Sequence, residues 1–141
     1  MVDKKEISAP KNDVDFRVTV VSHELVPNEN YAIYVIKVLG PRDITFHLKD
    51  RYSSIREFQA MVKRQIGSAD GTPTFPKKKL WGNTDAAFLA QRAQHISVFL
   101  QVFLAHPLVK TCPLVPVYFR SKAMDNNSKE AIQNLIAYMN G

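Results

Sequence analysis

The chain has 141 residues, of which 45% are hydrophobic, and its 19 Lys and Arg against 13 Asp and Glu leave a formal net charge of +6. That length suits one domain with a sizeable core, and the apolar content lies far from the disordered regime. No apolar run reaches the roughly 18 residues of a membrane-spanning helix; the longest, Tyr31 to Leu39, is broken by Lys37.

Residues 1–12 are polar, contain Pro10 and show no periodicity, which reads as a disordered lead-in without the apolar core of a signal peptide. Val14, Phe16, Val18 and Val20 then alternate with polar residues, the period-2 mark of a half-buried strand. Pro27–Asn30 is a turn cluster, and Tyr31 to Leu39 is rich in β-branched and aromatic residues, as a central strand would be. Gly40-Pro41 breaks it, and Ile44, Phe46 and Leu48 alternate again. Short connections between three successive strands predict an antiparallel meander.

The period then changes. Ile55, Phe58, Val62 and Ile66 form one stripe of a helix beginning near Ser53–Ser54 and ended by Gly67. Residues 67–82 form a long loop with three Gly and two Pro; a loop that long in a compact domain is usually functional or disordered. A second helix starts near Asn83–Asp85, runs to about Ala105 with Leu89, Ala93, Ile96, Leu100 and Phe103 on its apolar stripe, and is stopped by Pro107. A short helix around Leu114–Phe119 closes the domain. In residues 121–141, Asn127 with Glu130 gives a capping signal, and Ile132, Leu135, Ile136 and Met139 give an amphipathic helix that either docks or leads onward. Strands followed by helices make an α+β domain.

The positive charge is concentrated. Lys49 to Arg92 holds nine Lys and Arg against four Asp and Glu. A basic chain favours polyanionic partners: nucleic acid, an anionic membrane surface or an acidic protein. Zinc-finger spacing, zipper heptads and an RNA-recognition strand motif are all missing from the sequence, so nucleic acid is not expected. The four histidines (23, 47, 95 and 106) have no metal-ligand spacing, and no Gly-rich phosphate loop is present. His95 and His106 read as helix-surface or capping residues. The lone Cys112 reads as a buried small residue of a reducing, cytoplasmic compartment. We expect no enzyme, no cofactor and no metal.

Within the basic stretch, Arg51-Tyr52 stands where the third strand hands over to the first helix. A guanidinium there can grip a phosphate through parallel hydrogen bonds, and an aromatic face can stack on a ring. Pro73-x-x-Pro76-Lys77-Lys78-Lys79 reads as a rigidified basic loop, or as a left-handed segment offered to a partner protein. Leu80 and Trp81 directly after it suit a loop that dips into a membrane interface, and Trp81 suits core packing equally. Arg92 lies at the edge of a buried stripe and needs an acceptor, either a carboxylate or a bound anion.

Taken in order, Arg51-Tyr52-Ser53, Pro73-x-x-Pro76-x-Lys78, Lys79-Leu80-Trp81-Gly82, Arg92-x-x-x-Ile96-x-x-Phe99-Leu100 and His106-Pro107-Leu108 resemble the phox-homology (PX) domain over residues 13–120. The resemblance implies a three-stranded meander packed against three to four helices, and a phosphoinositide-binding, membrane-targeting role as in sorting nexins. It implies that Arg51 holds the 3-phosphate of phosphatidylinositol 3-phosphate and that Tyr52 stacks on the inositol ring. Lys78 would meet the 1-phosphate, and Arg92 the 4- and 5-hydroxyls. Lys77 and Lys79 are expected to read additional phosphate, and Leu80 and Trp81 to insert into the membrane. The location implied is peripheral, on endosomal or vacuolar membranes. Two departures stand out: Asp50, where many members carry a base, would weaken binding by pairing with Arg51, and Ile55 replaces a common Phe.

Overall fold

The computed structural model describes residues 16–40, 44–67, 71–78 and 85–123, with 133, 136 and 137. The expected lead-in at 1–12, the loop residues Lys79, Leu80 and Trp81, and most of the expected C-terminal helix lie outside the described residues. The elements are β1 (Arg17–Leu25), β2 (Ala32–Leu39), β3 (Thr45–Arg51), α1 (Tyr52–Ile66), α2 (Ala86–Ala105), α3 (Pro107–Lys110) and α4 (Leu114–Ala123). The strands pair antiparallel in the order β1-β2-β3, the meander that the sequence predicts.

Alternation decides the faces of the sheet. In β2, Ala32, Tyr34, Ile36 and Val38 point into the core; in β3, Phe46, Leu48 and Asp50 do so. β1 runs on past Val20, where the sequence pattern loses its phase. A register shift between Val20 and Ser22 is the reason. One extra residue in a bulge reverses the sidedness of everything after it, so Ser22–Leu25 reads as unpatterned although it pairs with β2. At the β1–β2 turn Asn28 takes a positive φ of 65°, a conformation that Asn tolerates better than most residues.

The helices then close over the inner face. Ile55, Phe58 and Val62 of α1 are buried, so Ile55 does fill a core position, and Gly67 ends the helix at φ 76°. α2 lies along β1 and seals part of its free edge: Val20 N–H donates to Ser97 Oγ (3.1 Å), and Gln101 Nε2 donates to the Val18 carbonyl (3.2 Å). His106 leaves the helical conformation before Pro107, which then opens α3 in its preferred first-turn position, with His106 Nδ1 accepting from Leu108 N–H (3.2 Å). An aromatic seam joins the layers, with Phe58 stacked on Tyr118 at 3.9 Å and Phe119 edge-on to both Phe16 and Phe46. Cys112 is buried.

Gly40, just after β2, packs tightly against Phe16. A Cβ there would stand 2.7 Å from the Phe16 ring, while Gly40 N–H donates to the Ile44 carbonyl at 2.7 Å. Gly40→Ala is therefore expected to cost about 1–3 kcal/mol by overpacking, read as a lowered midpoint in denaturant unfolding with an unchanged slope.

Candidate functional site

Where β3 becomes α1, two neighbouring residues of opposite charge part company. Asp50 faces inward and is 5% exposed; its carboxylate accepts from the Tyr118 hydroxyl (2.5 Å) and from the Arg51 backbone N–H (2.9 Å), and lies 3.4 Å from Lys122 Nζ. Arg51 faces outward, its guanidinium 3.7 Å from the centroid of the Tyr31 ring. The expectation that Asp50 would pair with the Arg51 side chain is thus overturned by the pleat of the strand. Asp50 fixes the Arg51 backbone and leaves its guanidinium without a carboxylate among the described residues.

Tyr52 begins α1, and its hydroxyl donates to the Pro76 carbonyl at 2.6 Å. The loop is pinned elsewhere too. Phe75 is buried between Tyr52 (5.2 Å) and Phe99 (5.0 Å), and Lys63 Nζ donates to the Pro73 carbonyl (3.1 Å).

Arg92 enters from α2 and is 7% exposed. Its guanidinium lies between the rings of Tyr52 (3.8 Å) and Phe88 (4.6 Å), and Nη2 donates to the Lys77 carbonyl at 2.8 Å. No carboxylate among the described residues pairs with it. Burial pulls the guanidinium below its ordinary value, and the Tyr52 and Tyr34 phenols oppose that pull. Arginine stays protonated under such a shift, so a buried cation faces aromatic π-clouds and one carbonyl.

These side chains meet. A cavity of about 180 Å³ is lined by Arg51, Tyr52, Lys78 and Arg92, together with Tyr31, Tyr34 and Ser53, and with Asn30, Ala32 and Leu89. Among the described residues that line it, three are cations and none is Asp or Glu. The geometry brings together the four residues singled out in the sequence. Lys77 is exposed and contributes its carbonyl to Arg92, while Lys79, Leu80 and Trp81 lie outside the described residues.

Three contributors are absent from the sequence reading: Tyr31 beneath Arg51, Phe88 against Arg92, and Tyr34 in the cavity wall. Strand period could place Tyr34 on the inward face, but nothing in the sequence says that an inward residue borders a cavity. Phe88 falls outside the apolar stripe of α2, and its signal, one turn before Arg92, is visible only once Arg92 is known to be buried.

Comparison with known proteins follows the same outline. Residues 39–122, more than half of the chain, match the family model described as PX domain. Human sorting nexin-13 (Homo sapiens) is 29% identical over 94 residues, which cover 64% of this chain and 10% of that protein. Mouse sorting nexin-21 (Mus musculus) is 26% identical over 107 residues, covering 74% of this chain and 30% of that protein. The chain thus spans less than a third of either relative. An X-ray structure of a designed CISK-PX domain superposes with a TM-score of 0.61 at 21% identity, covering 72% of this chain and 96% of that one, which supports the fold.

The hydrogen bond between the partly buried Tyr118 and the buried Asp50 sets a pH dependence. Burial, then the Asp50 charge and its hydrogen bond, hold the Tyr118 phenol well above its ordinary value of 10.0. The unfolded chain therefore ionises first, and the stability linked to this group is present below about pH 10 and lost as pH rises toward the folded value. Tyr118→Phe should cost about 1–3 kcal/mol at neutral pH by leaving Asp50 short of a donor. It should also flatten the loss of stability above pH 10, as measured by denaturant midpoints across the alkaline range.

Proposed function

The chain belongs to the PX domain family, and we propose that it is a phosphoinositide-binding, membrane-targeting module that reads phosphatidylinositol 3-phosphate. The observation that carries this reading is a cavity walled by Arg51, Lys78 and Arg92 with no acidic side chain on it among the described residues. Cations that share one cavity without a counter-ion among the described residues favour an anionic ligand, and a ligand that supplies the charge gains charge-assisted hydrogen bonds.

The geometry supports the role proposed for each residue. Arg51 presents a guanidinium with no hydrogen bond among the described residues, suited to clasping the 3-phosphate through two donors. Lys78, exposed on the loop, suits the 1-phosphate that leads to the lipid tails. Arg92 has Nη2 engaged with a carbonyl, and its remaining donors suit the 4- and 5-hydroxyls better than a full extra phosphate. Tyr52 supplies an aromatic wall already shared with Arg92, so an inositol ring bound there packs beside that stack.

Binding to a bilayer would use more than the pocket. Each Lys or Arg near an anionic surface adds on the order of 1 kcal/mol, and burying Leu80 with part of Trp81 would add roughly 2–3 kcal/mol. No helix among the described residues is long and apolar enough to cross a membrane, and we place the protein peripherally on endosomal or vacuolar membranes, recruiting whatever it is joined to. Against the alternative of a Pro73–Pro76 segment handed to a partner domain stands its packing. Both proline carbonyls accept internal hydrogen bonds, and Phe75 between them is buried.

Sedimentation with vesicles containing phosphatidylinositol 3-phosphate tests the reading. Arg51→Ala is expected to weaken binding at least about tenfold through loss of charge-assisted hydrogen bonds, with unfolding midpoint unchanged. Undiminished sedimentation of that variant would exclude the pocket. Capture of a partner domain that is lost in Pro76→Ala, by protein that ignores every phosphoinositide, would favour the adaptor reading instead.

A further inference from the structure

Tyr34 is 1% exposed and yet lines the cavity. It stands on β2 between the inward neighbours Ala32 and Ile36, both apolar, where a phenylalanine would fill the same space without burying a hydroxyl. Its ring lies 6.2 Å from that of His23, and no hydrogen bond meets its hydroxyl among the described residues. That oxygen is not sealed in the core either. Among the described residues the fully buried side-chain oxygen lacking a partner is Gln59 Oε1, not Tyr34. The phenol therefore keeps an opening, and the space it borders is the cavity. It also lies close enough to the Arg92 guanidinium and the Tyr52 phenol for their charges to act on it.

We infer that Tyr34 is a specificity-determining residue, whose hydroxyl hydrogen-bonds a ring hydroxyl of the bound headgroup on the side held by Arg92. This rests on the phosphoinositide reading and deepens it. A neutral phenol both donates and accepts, which matches a sugar hydroxyl in either sense. It is poorly matched to a further phosphate, whose desolvation calls for more cation than one buried guanidinium already sharing a donor with Lys77 can supply. Sites built to hydrogen-bond a substrate hydroxyl reject ligands that leave the site's own polar group unpaired. Tyr34 thereby favours a headgroup left unphosphorylated next to Arg92.

Calorimetric titration with the soluble headgroups inositol 1,3-bisphosphate and inositol 1,3,4-trisphosphate tests this, using wild type, Tyr34→Phe and Arg51→Ala side by side. Tyr34→Phe is expected to bind the bisphosphate about threefold to tenfold more weakly, the range for one hydrogen bond, and to prefer it less over the trisphosphate. If Arg51→Ala abolishes binding while Tyr34→Phe keeps both affinities, the role of Tyr34 is overturned and the pocket survives. If wild type binds neither headgroup, or Arg51→Ala binds as wild type does, the phosphoinositide reading falls and this inference with it. Should Tyr34→Phe fail to fold, the Cζ resonance of Tyr34 in wild type decides. A shift on adding bisphosphate, with the Tyr118 resonance still, supports the contact; an unmoved Tyr34 resonance overturns it.

Discussion

The site depends on the Tyr52 side chain, which is held at both ends. Its hydroxyl ties the start of α1 to the loop at Pro76, and its ring carries the Arg92 guanidinium of α2. Arg92 returns to the same loop through the Lys77 carbonyl. Helix, loop and helix thus close a circuit of three contacts around one phenol. A desolvated cation–π contact is worth about 2 kcal/mol, and a second ring at Phe88 adds to it. These interactions offset the burial of a guanidinium that lacks a carboxylate, and they keep it charged.

The other half of the site follows from the pleat of β3. Adjacent residues of a strand project to opposite faces, so Asp50 and Arg51 are neighbours in sequence and apart in space. The acid is drawn toward α4 by Tyr118 and Lys122, and the base is laid over Tyr31. Had the two shared a face, Arg51 would already own a counter-ion and have little to offer a ligand. The same alternation places Tyr34 opposite Asp50 on the inner face, yet the two hydroxyl-bearing neighbours of that face diverge, Tyr118 to the acid and Tyr34 to the cavity.

Much of this was legible in the sequence, for reasons that differ by element. The strands and α1 were readable because their buried faces recur at periods of 2 and 3.6. The breaks at Gly40, Gly67 and Pro107 mark real ends. Arg51, Tyr52, Lys78 and Arg92 were readable as a set through their resemblance to the PX-domain pattern, and the fold brings them to one cavity. What escaped were facts of direction. The bulge after Val20 hid the rest of β1, the sidedness of Asp50 was read from adjacency in place of pleat, and the aromatic partners Tyr31 and Phe88 belong to no local pattern. Contacts between residues far apart in the chain have no periodic trace.

The sealed edge of β1 has a consequence for molecular recognition. Ser97 and Gln101 of α2 fasten that helix to main-chain groups of Val20 and Val18, so the helix cannot slide or roll without tearing hydrogen bonds from the strand. At 1.5 Å per residue, those rivets sit about 7.5 and 13.5 Å along the axis from Arg92. The gap between the two guanidiniums is therefore gauged by the backbone lattice of the sheet, well away from the cavity itself. A caliper whose jaws are set at the hinge holds its opening whether or not anything lies between them.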